Sequence, residues 1–331
     1  MKYKVVIITG ASGGVGRATA IEFAKKKAKI LLIARGKEGL EGAKKDVEDN
    51  GGTAWIYQAD VSDKAQVEAA ADFAERELGP IDIWVNNAMV SVFSRVLDME
   101  AEEFKRVTEV TYLGQVYGTM AALKRMKDRN CGRIILVGSA LAYRGIPLQS
   151  AYCASKHAVQ GFFESLRAEL LHDGINVSLS IIHLPAMNTT QFGWVKSRFD
   201  KKPKPMGAIY EPEVAARAIV ELAKNPERQR MVGLPTLKTV WGNKFLPTYL
   251  DRFMAENGFE GQLTDEPEDP DRKNNLWDPI PEDRGIHGDF EDSAAHLSIY
   301  DQVEEHKKSL GLVGIGFAGA FLLSRIIKKI F

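Results

Sequence analysis

The chain has 331 residues and 36.7 kDa, with 45% hydrophobic and 27% charged residues, a soluble globular composition that excludes a largely disordered protein. Lys plus Arg and Asp plus Glu both number 44, so no global basic field exists to hold a nucleic-acid backbone, and no nucleic-acid partner is expected. The balance hides an imbalance: Glu256 to Asp292 holds 13 acidic and 3 basic residues, a net of −10, which leaves +10 on the remainder. Cys131 and Cys153 are too few for a disulfide framework and suit a reducing compartment. Met1-Lys2-Tyr3-Lys4 runs straight into an apolar strand, so no secretory signal is expected and the folded domain is expected in the cytoplasm.

In chain order, short apolar runs alternate with longer amphipathic ones. The runs are Val5-Val6-Ile7-Ile8, Ile30-Leu31-Leu32-Ile33, Trp55-Ile56-Tyr57, Ile81 to Val85, Ile134 to Val137, Val177 to Ile182 and, weakly, Met231-Val232. Helical segments such as Glu100 to Lys127 and Ala151 to His172 lie between them. Strands separated by helices predict βαβ units, and near-continuous apolar runs predict strands buried on both faces. The expected fold is a doubly wound α/β (Rossmann) domain, a parallel sheet of about seven strands with helices on both faces, over 1–240.

Residues 241–306 form an acidic, proline-containing extension. Asp265 to Pro281 carries four prolines and no helical or strand period, so it is read as extended, either draped over the domain or solvated. Residues 307–331 hold Leu310 to Leu323, fourteen residues without charge, flanked by Lys307-Lys308 and by Arg325, Lys328 and Lys329. Such a helix is expected to contact a membrane, with packing against a second subunit as the alternative.

The first strand runs into Thr9-Gly10-Ala11-Ser12-Gly13-Gly14-Val15-Gly16-Arg17. Gly10 permits a sharp turn, Gly14 lets backbone N–H groups approach a pyrophosphate, and Gly16 allows close helix–strand packing. The following helix N-terminus adds partial positive charge. Tyr152 and Lys156 stand four apart on a predicted helix and share one face. A nearby ammonium favours the phenolate of a tyrosine that otherwise titrates near 10. Ser139 closes the fifth strand, at the sheet edge where such sites form.

The Gly-x3-Gly-x-Gly spacing, Asn86-Asn87-Ala88 after the fourth strand and Tyr152-x3-Lys156 together resemble the short-chain dehydrogenase/reductase family over about residues 3 to 235. The later residues resemble the C-terminal extension of a group of bacterial members. The resemblance implies an oxidoreductase that interconverts a carbonyl and an alcohol. In it Ser139 polarises the substrate oxygen, Tyr152 acts as general acid/base, and Lys156 lowers the tyrosine pKa and binds the nicotinamide ribose. It also implies cofactor contacts from Gly10, Ser12, Gly14, Val15, Gly16, Asp60, Val61, Asn87, Ala88, Tyr152, Lys156, Pro185 and Thr189, with Asp60 on the adenine amino group and Asn86 stabilising the sheet. At the end of the second strand Ala34-Arg35 stands where a carboxylate would select NAD, so NADP(H) is expected, with Arg35 on the 2′-phosphate. A homo-oligomer is expected from the same resemblance.

Three departures stand out. Met89 replaces the glycine of Asn-Asn-Ala-Gly, and Pro185-Ala186 replaces Pro-Gly. Thr111, in Val110-Thr111-Tyr112-Leu113-Gly114, takes the place of the family's catalytic asparagine, which holds a water linking the lysine to solvent. Thr111 is therefore the fourth candidate catalytic residue, and a catalytically weak NADP-binding scaffold or redox sensor is the alternative reading. The six histidines show no metal-ligand spacing and no metal is expected; Cys153 has no partner marking it as a nucleophile. Phe192, Trp194 and Phe199 are expected to line an apolar pocket, with packing into the core as the alternative, and a pocket there leans the small-molecule substrate towards a lipophilic carbonyl or alcohol.

Overall fold

The computed structural model describes residues 5–298 and 300–301. The elements are β1 (Val5–Thr9), α1 (Gly14–Ala24), β2 (Lys29–Ala34), α2 (Lys37–Asp49), β3 (Thr53–Gln58), α3 (Lys64–Glu77), β4 (Ile83–Asn86), α4 (Ala101–Thr108), α5 (Gly114–Met126), β5 (Gly132–Ser139), α6 (Ser150–His172), β6 (Val177–Leu184), α7 (Pro212–Lys224), β7 (Gln229–Met231), α8 (Gly233–Phe245) and α9 (Pro247–Asn257). The seven strands form one sheet in the order β7-β6-β5-β4-β1-β2-β3, and every neighbouring pair is parallel. The expected doubly wound α/β fold is the one observed.

The apolar runs explain why the sheet is buried on both sides. Successive residues of a strand face opposite ways. Val6, Ile8, Ile30 and Leu32 accordingly join the layer beneath α1, α2 and α7. Val5, Ile7, Leu31 and Ile33 join the opposite layer, with Phe163 and the α3, α5 and α6 side chains. Strand order reverses between β1 and β4, which opens a crevice at their carboxyl ends. Asp63 caps α3, its side chain accepting from the N–H groups of Ala65 and Gln66. The stretch expected as one helix from Glu100 is continuous through α4 and α5, but Glu109–Leu113 widens into a π-type turn.

The part beyond the sheet departs from the sequence reading in detail. Helix α8 runs through residue 240, where a boundary was expected. Leu263–Pro267 pairs antiparallel with Lys201–Pro203, so part of the proline-containing stretch is a strand. The remainder is draped over the domain. Asn275 N–H donates to the Trp194 carbonyl at 2.9 Å, and Leu276 is fully buried in one core layer. Ala294–Ala295 then pairs with Ile209–Tyr210, which pairs with Ala186–Met187, all parallel. The Gly233 N–H donates to an Asp301 carboxylate oxygen at 3.2 Å. Among the described residues no helix is long and apolar enough to cross a membrane, and the expected apolar helix at 310–323 lies outside them.

Candidate active site

Between β1 and α1 the chain turns at the open end of the crevice. Gly14 has φ +52°, a conformation that L side chains rarely adopt. Gly16 packs so closely that a Cβ there would lie 2.6 Å from Asn87 Nδ2 and against the Gly10 carbonyl. Asn87 Nδ2 donates to the Thr9 and Gly10 carbonyls, both at 3.1 Å, and its N–H donates to Thr9 Oγ at 3.0 Å. It thus ties the loop after β4 to the glycine turn. Helix α1 has Gly13 as its N-cap, so no side chain caps it, and no acid stands in its first turn. Its leading N–H groups suit an anion, and Ser12, Gly13, Gly14 and Val15 line the cavity there. A dinucleotide pyrophosphate fits these residues.

Ser139 ends β5, and Tyr152 and Lys156 stand one turn apart near the start of α6. The Ser139 and Tyr152 hydroxyls are hydrogen-bonded, and Ser139 Oγ also accepts from the Leu141 N–H at 3.1 Å. Lys156 Nζ lies 5.5 Å from the Tyr152 ring centroid and donates to the Val137 carbonyl at 2.7 Å. Burial lowers the Lys156 pKa to about 7. Burial also pushes the Tyr152 phenol well above its ordinary value, with the Ser139 hydrogen bond pulling the other way. Cys153, next to it, is buried and raised to about 11, which makes it a poor nucleophile.

A cavity of about 590 Å³ joins the glycine turn to these three side chains. Every predicted site residue lines it except Gly16, which sits behind the turn, and Thr111. Thr111 is fully buried; its hydroxyl donates to the Val90 carbonyl at 2.8 Å and accepts from the Val90 N–H at 3.1 Å. Phe192 and Trp194 line the cavity as expected. Phe199 does not: half-buried, it packs instead against the small cluster of Phe93, Leu148 and Val195.

At the far end, burial works against the Asp60 carboxylate, but hydrogen bonds from Arg106 and Ser62 hold its pKa below the usual range. Arg106 Nη2 reaches it at 2.5 Å, and Arg106 Nε donates to the Leu276 carbonyl at 3.0 Å. Arg35 donates to the backbone carbonyls of Asn275, Leu276 and Trp277, the last at 2.7 Å. Burial and the nearby Arg106 lower its pKa.

Three groups escaped the sequence reading. His183, near the carboxyl end of β6, is fully buried with Nδ1 3.1 Å from the Ser139 carbonyl. Burial lowers its pKa to about 4, so it is neutral and Nδ1 carries the proton given to that carbonyl. Gln115, one helical turn past Thr111, is buried and donates to the Val137 carbonyl at 3.1 Å, sharing it with Lys156. Glu211, Glu213 and His287 put ligand-type atoms within 4.8 Å of one another, with His287 Nε2 2.8 Å from Glu213. Spacing could not reveal that cluster, since His287 arrives on the extension.

A family model described as short chain dehydrogenase matches residues 4–197. An uncharacterized oxidoreductase of Bacillus subtilis, YxnA, is 35% identical over 280 residues, covering 84% of this chain and 79% of its own. A mouse 3-ketodihydrosphingosine reductase is 34% identical over 229 residues, 65% of this chain and 67% of that one. Among solved structures, an alcohol dehydrogenase of the archaeon Thermococcus sibiricus, complexed with 5-hydroxy-NADP, superimposes with a TM-score of 0.60 at 26% identity, covering 70% of this chain and 95% of that one.

Proposed function

The chain belongs to the short-chain dehydrogenase/reductase family of oxidoreductases, and from that premise we propose that it interconverts a carbonyl and an alcohol with NADP(H), Tyr152 acting as general acid/base. The observation that carries this reading is the opening of Ser139, Tyr152 and Lys156 into the same cavity as the uncapped start of α1. The nicotinamide supplies or accepts the hydride at the substrate carbon.

In the reducing direction the carbonyl oxygen sits between the Ser139 and Tyr152 hydroxyls. Ser139 donates a hydrogen bond that polarises it, and Tyr152 transfers its proton to the oxygen as the new C–H bond forms, leaving an alcohol and a phenolate. The Lys156 ammonium offsets the phenolate charge, and the proton is restored to Tyr152 from solvent. Protein burial alone holds the phenol too weakly acidic for this role, so the reading requires positive charge beside the ring. His183, through the Ser139 backbone, holds the serine in place.

The preference for NADP(H) rests on Arg35 lining the cavity after β2, on Ala34 where a carboxylate would repel a 2′-phosphate, and on Asp60 being offset by Arg106. NADPH is expected to bind at least tenfold tighter than NADH, about 1.4 kcal/mol. Equal affinities by fluorescence titration, or an Arg35→Ala variant unchanged for NADPH, would remove that assignment. The apolar wall of Phe93, Ile146, Phe192, Met206 and Phe253, with the similarity to a ketosphingoid reductase, supports a lipophilic carbonyl. NADPH oxidation across aldehydes, ketones and quinones tests the activity.

Thr111 favours a second reading, a catalytically weak NADP-binding scaffold or redox sensor. Its hydroxyl is closed on Val90, and it lines no part of the cavity. Tight NADPH binding without turnover of any carbonyl would select it. On the sequence of 310–323 we also place the catalytic domain at the cytoplasmic face of a membrane. Equal recovery in the soluble fraction of the full chain and of a chain ending at Lys308 would remove that placement.

A further inference from the structure

The extension crosses the cofactor crevice at the points where a dinucleotide would lie. We propose that residues 275–285 form the outer wall of the dinucleotide site, with Pro279 and Ile280 covering the adenosine end and Arg284 facing the pyrophosphate at the glycine turn. The inference rests on the dinucleotide reading above and adds half a binding site to it.

Position is the first support. Asn275, Pro279, Ile280, Glu282 and Arg284 line the same cavity as the glycine turn, Arg35 and Asp60. A Cβ on Gly36, just past β2, would meet Pro279 Cβ at 3.2 Å, and a Cβ on Gly13 would meet the Gly285 carbonyl at 3.0 Å. The segment therefore passes directly over both turns that hold the cofactor's ribose and phosphates.

Anchoring is the second. Leu276 is fully buried and Ile280 is 7% exposed, so the segment is sunk at two points. Guanidinium groups anchor it: Arg35 and Arg106 hold the backbone carbonyls of residues 275–277, and Arg17 of α1, itself bonded to Asp46 at 2.7 Å, pairs with the Asp283 carboxylate. Asp283 also accepts the Gly285 N–H at 3.0 Å. One carboxylate thus ties the strap to the helix that begins at the phosphate turn.

Chemistry is the third. Adenine has two apolar faces, and Val61 and Ile280 both add apolar surface to the cavity lining. Arg284 donates Nε and Nη2 to Glu282 Oε1, at 3.0 and 2.6 Å, and Nη1 to the Gly193 carbonyl at 3.3 Å. Those three contacts leave two of a guanidinium's five N–H groups for phosphate oxygens. Glu282 holds the guanidinium in place and competes with the same phosphate for it.

The test uses the full chain and two probes, NADPH and ADP, which carries adenosine and pyrophosphate without nicotinamide. Arg284→Ala and Ile280→Ser are each expected to weaken both probes about tenfold, whereas Glu282→Gln tightens both. Asp283→Asn, which loosens the anchor without touching either wall residue, is expected to weaken both probes and to speed their release. Lys202→Ala, on an exposed ion pair outside the cavity lining, is the control for nonspecific change. Unchanged affinities in folded Arg284→Ala and Ile280→Ser would overturn the proposal. So would on- and off-rates rising by the same factor at constant affinity, which would make the segment a cover and not a wall. Failure of the wild-type chain to bind either probe would overturn the dinucleotide reading along with it.

Discussion

The sheet region and the extension are held together by opposite means. The inner strands of the sheet are almost wholly buried, the edge strands β3 and β7 only partly, and two apolar layers sandwich the sheet. Beyond Val232 only Leu276 and Ile280 are buried apolar side chains among the described residues. Eight of the thirteen exposed large hydrophobic residues, among them Trp241, Phe245 and Tyr249 on α8 and α9, also lie there. Apolar burial is tolerant of detail because it is spread over many residues. The extension instead hangs on a few directional contacts to arginines, so its course depends on individual side chains.

The comparison can be broken most sharply on activity. If all the chemistry resides in the sheet region, Tyr152→Phe should lower turnover by roughly 10²–10⁴-fold while cofactor affinity, measured by fluorescence, stays close to wild type. A matching loss of affinity would place Tyr152 in binding and not in proton transfer. Next comes stability: Phe163→Ala, in the α6 layer, should cost about 3–5 kcal/mol in a denaturant titration. Leu276→Ala should cost about 2–5 kcal/mol, because it removes the one extension residue seated in that layer. If Leu276→Ala proves silent, the extension is not part of the cooperative unit.

Titration sharpens the same contrast. Lys156 is lowered by burial to about 7 from 10.5, so the unfolded chain binds more protons than the native one between those values. That residue's contribution to stability therefore rises as pH climbs from about 7 to 10.5. Lys156→Met should raise the melting temperature at pH 7, with a gain that shrinks towards pH 10.5, while abolishing turnover. His183, lowered to about 4 from 6.5, acts in the same sense lower down: its contribution is lost as pH falls from about 6.5 to 4. The smallest effect belongs to the extension's surface. Trp277→Ala removes a half-exposed ring 5.9 Å from the Arg106 guanidinium and should cost about 0.5–1 kcal/mol.

The same division governs how far the sequence could be read. β-Branched runs such as Val5 to Ile8 and Val177 to Ile182 announce buried strands, and glycines 10, 14 and 16 announce the turn between strand and helix. Tyr152 and Lys156 were legible because a helix brings residues four apart onto one face. β7 was faint, being a half-buried edge of Gln229-Arg230-Met231. The course of the extension was not legible at all. Arg35 and Arg106 hold carbonyls 170 to 242 residues away, and a carbonyl leaves no trace in side-chain pattern. Thr111 lies in the π-type turn between α4 and α5, and no local rule foretells that its hydroxyl closes on Val90.

The pairing of Arg17 with Asp283 also sets an order of assembly. A chain emerging from the ribosome folds its N-terminal part first, and every strand of the sheet has emerged by Met231. At that stage the crevice lacks the wall that residues 275–285 supply, and Arg35, Arg106 and Arg17 have yet to meet those of their partners encoded up to 266 residues later. A nascent chain therefore presents an open crevice well before residues 275–285 can cover it. The nucleotide present during synthesis has the first opportunity to occupy the site.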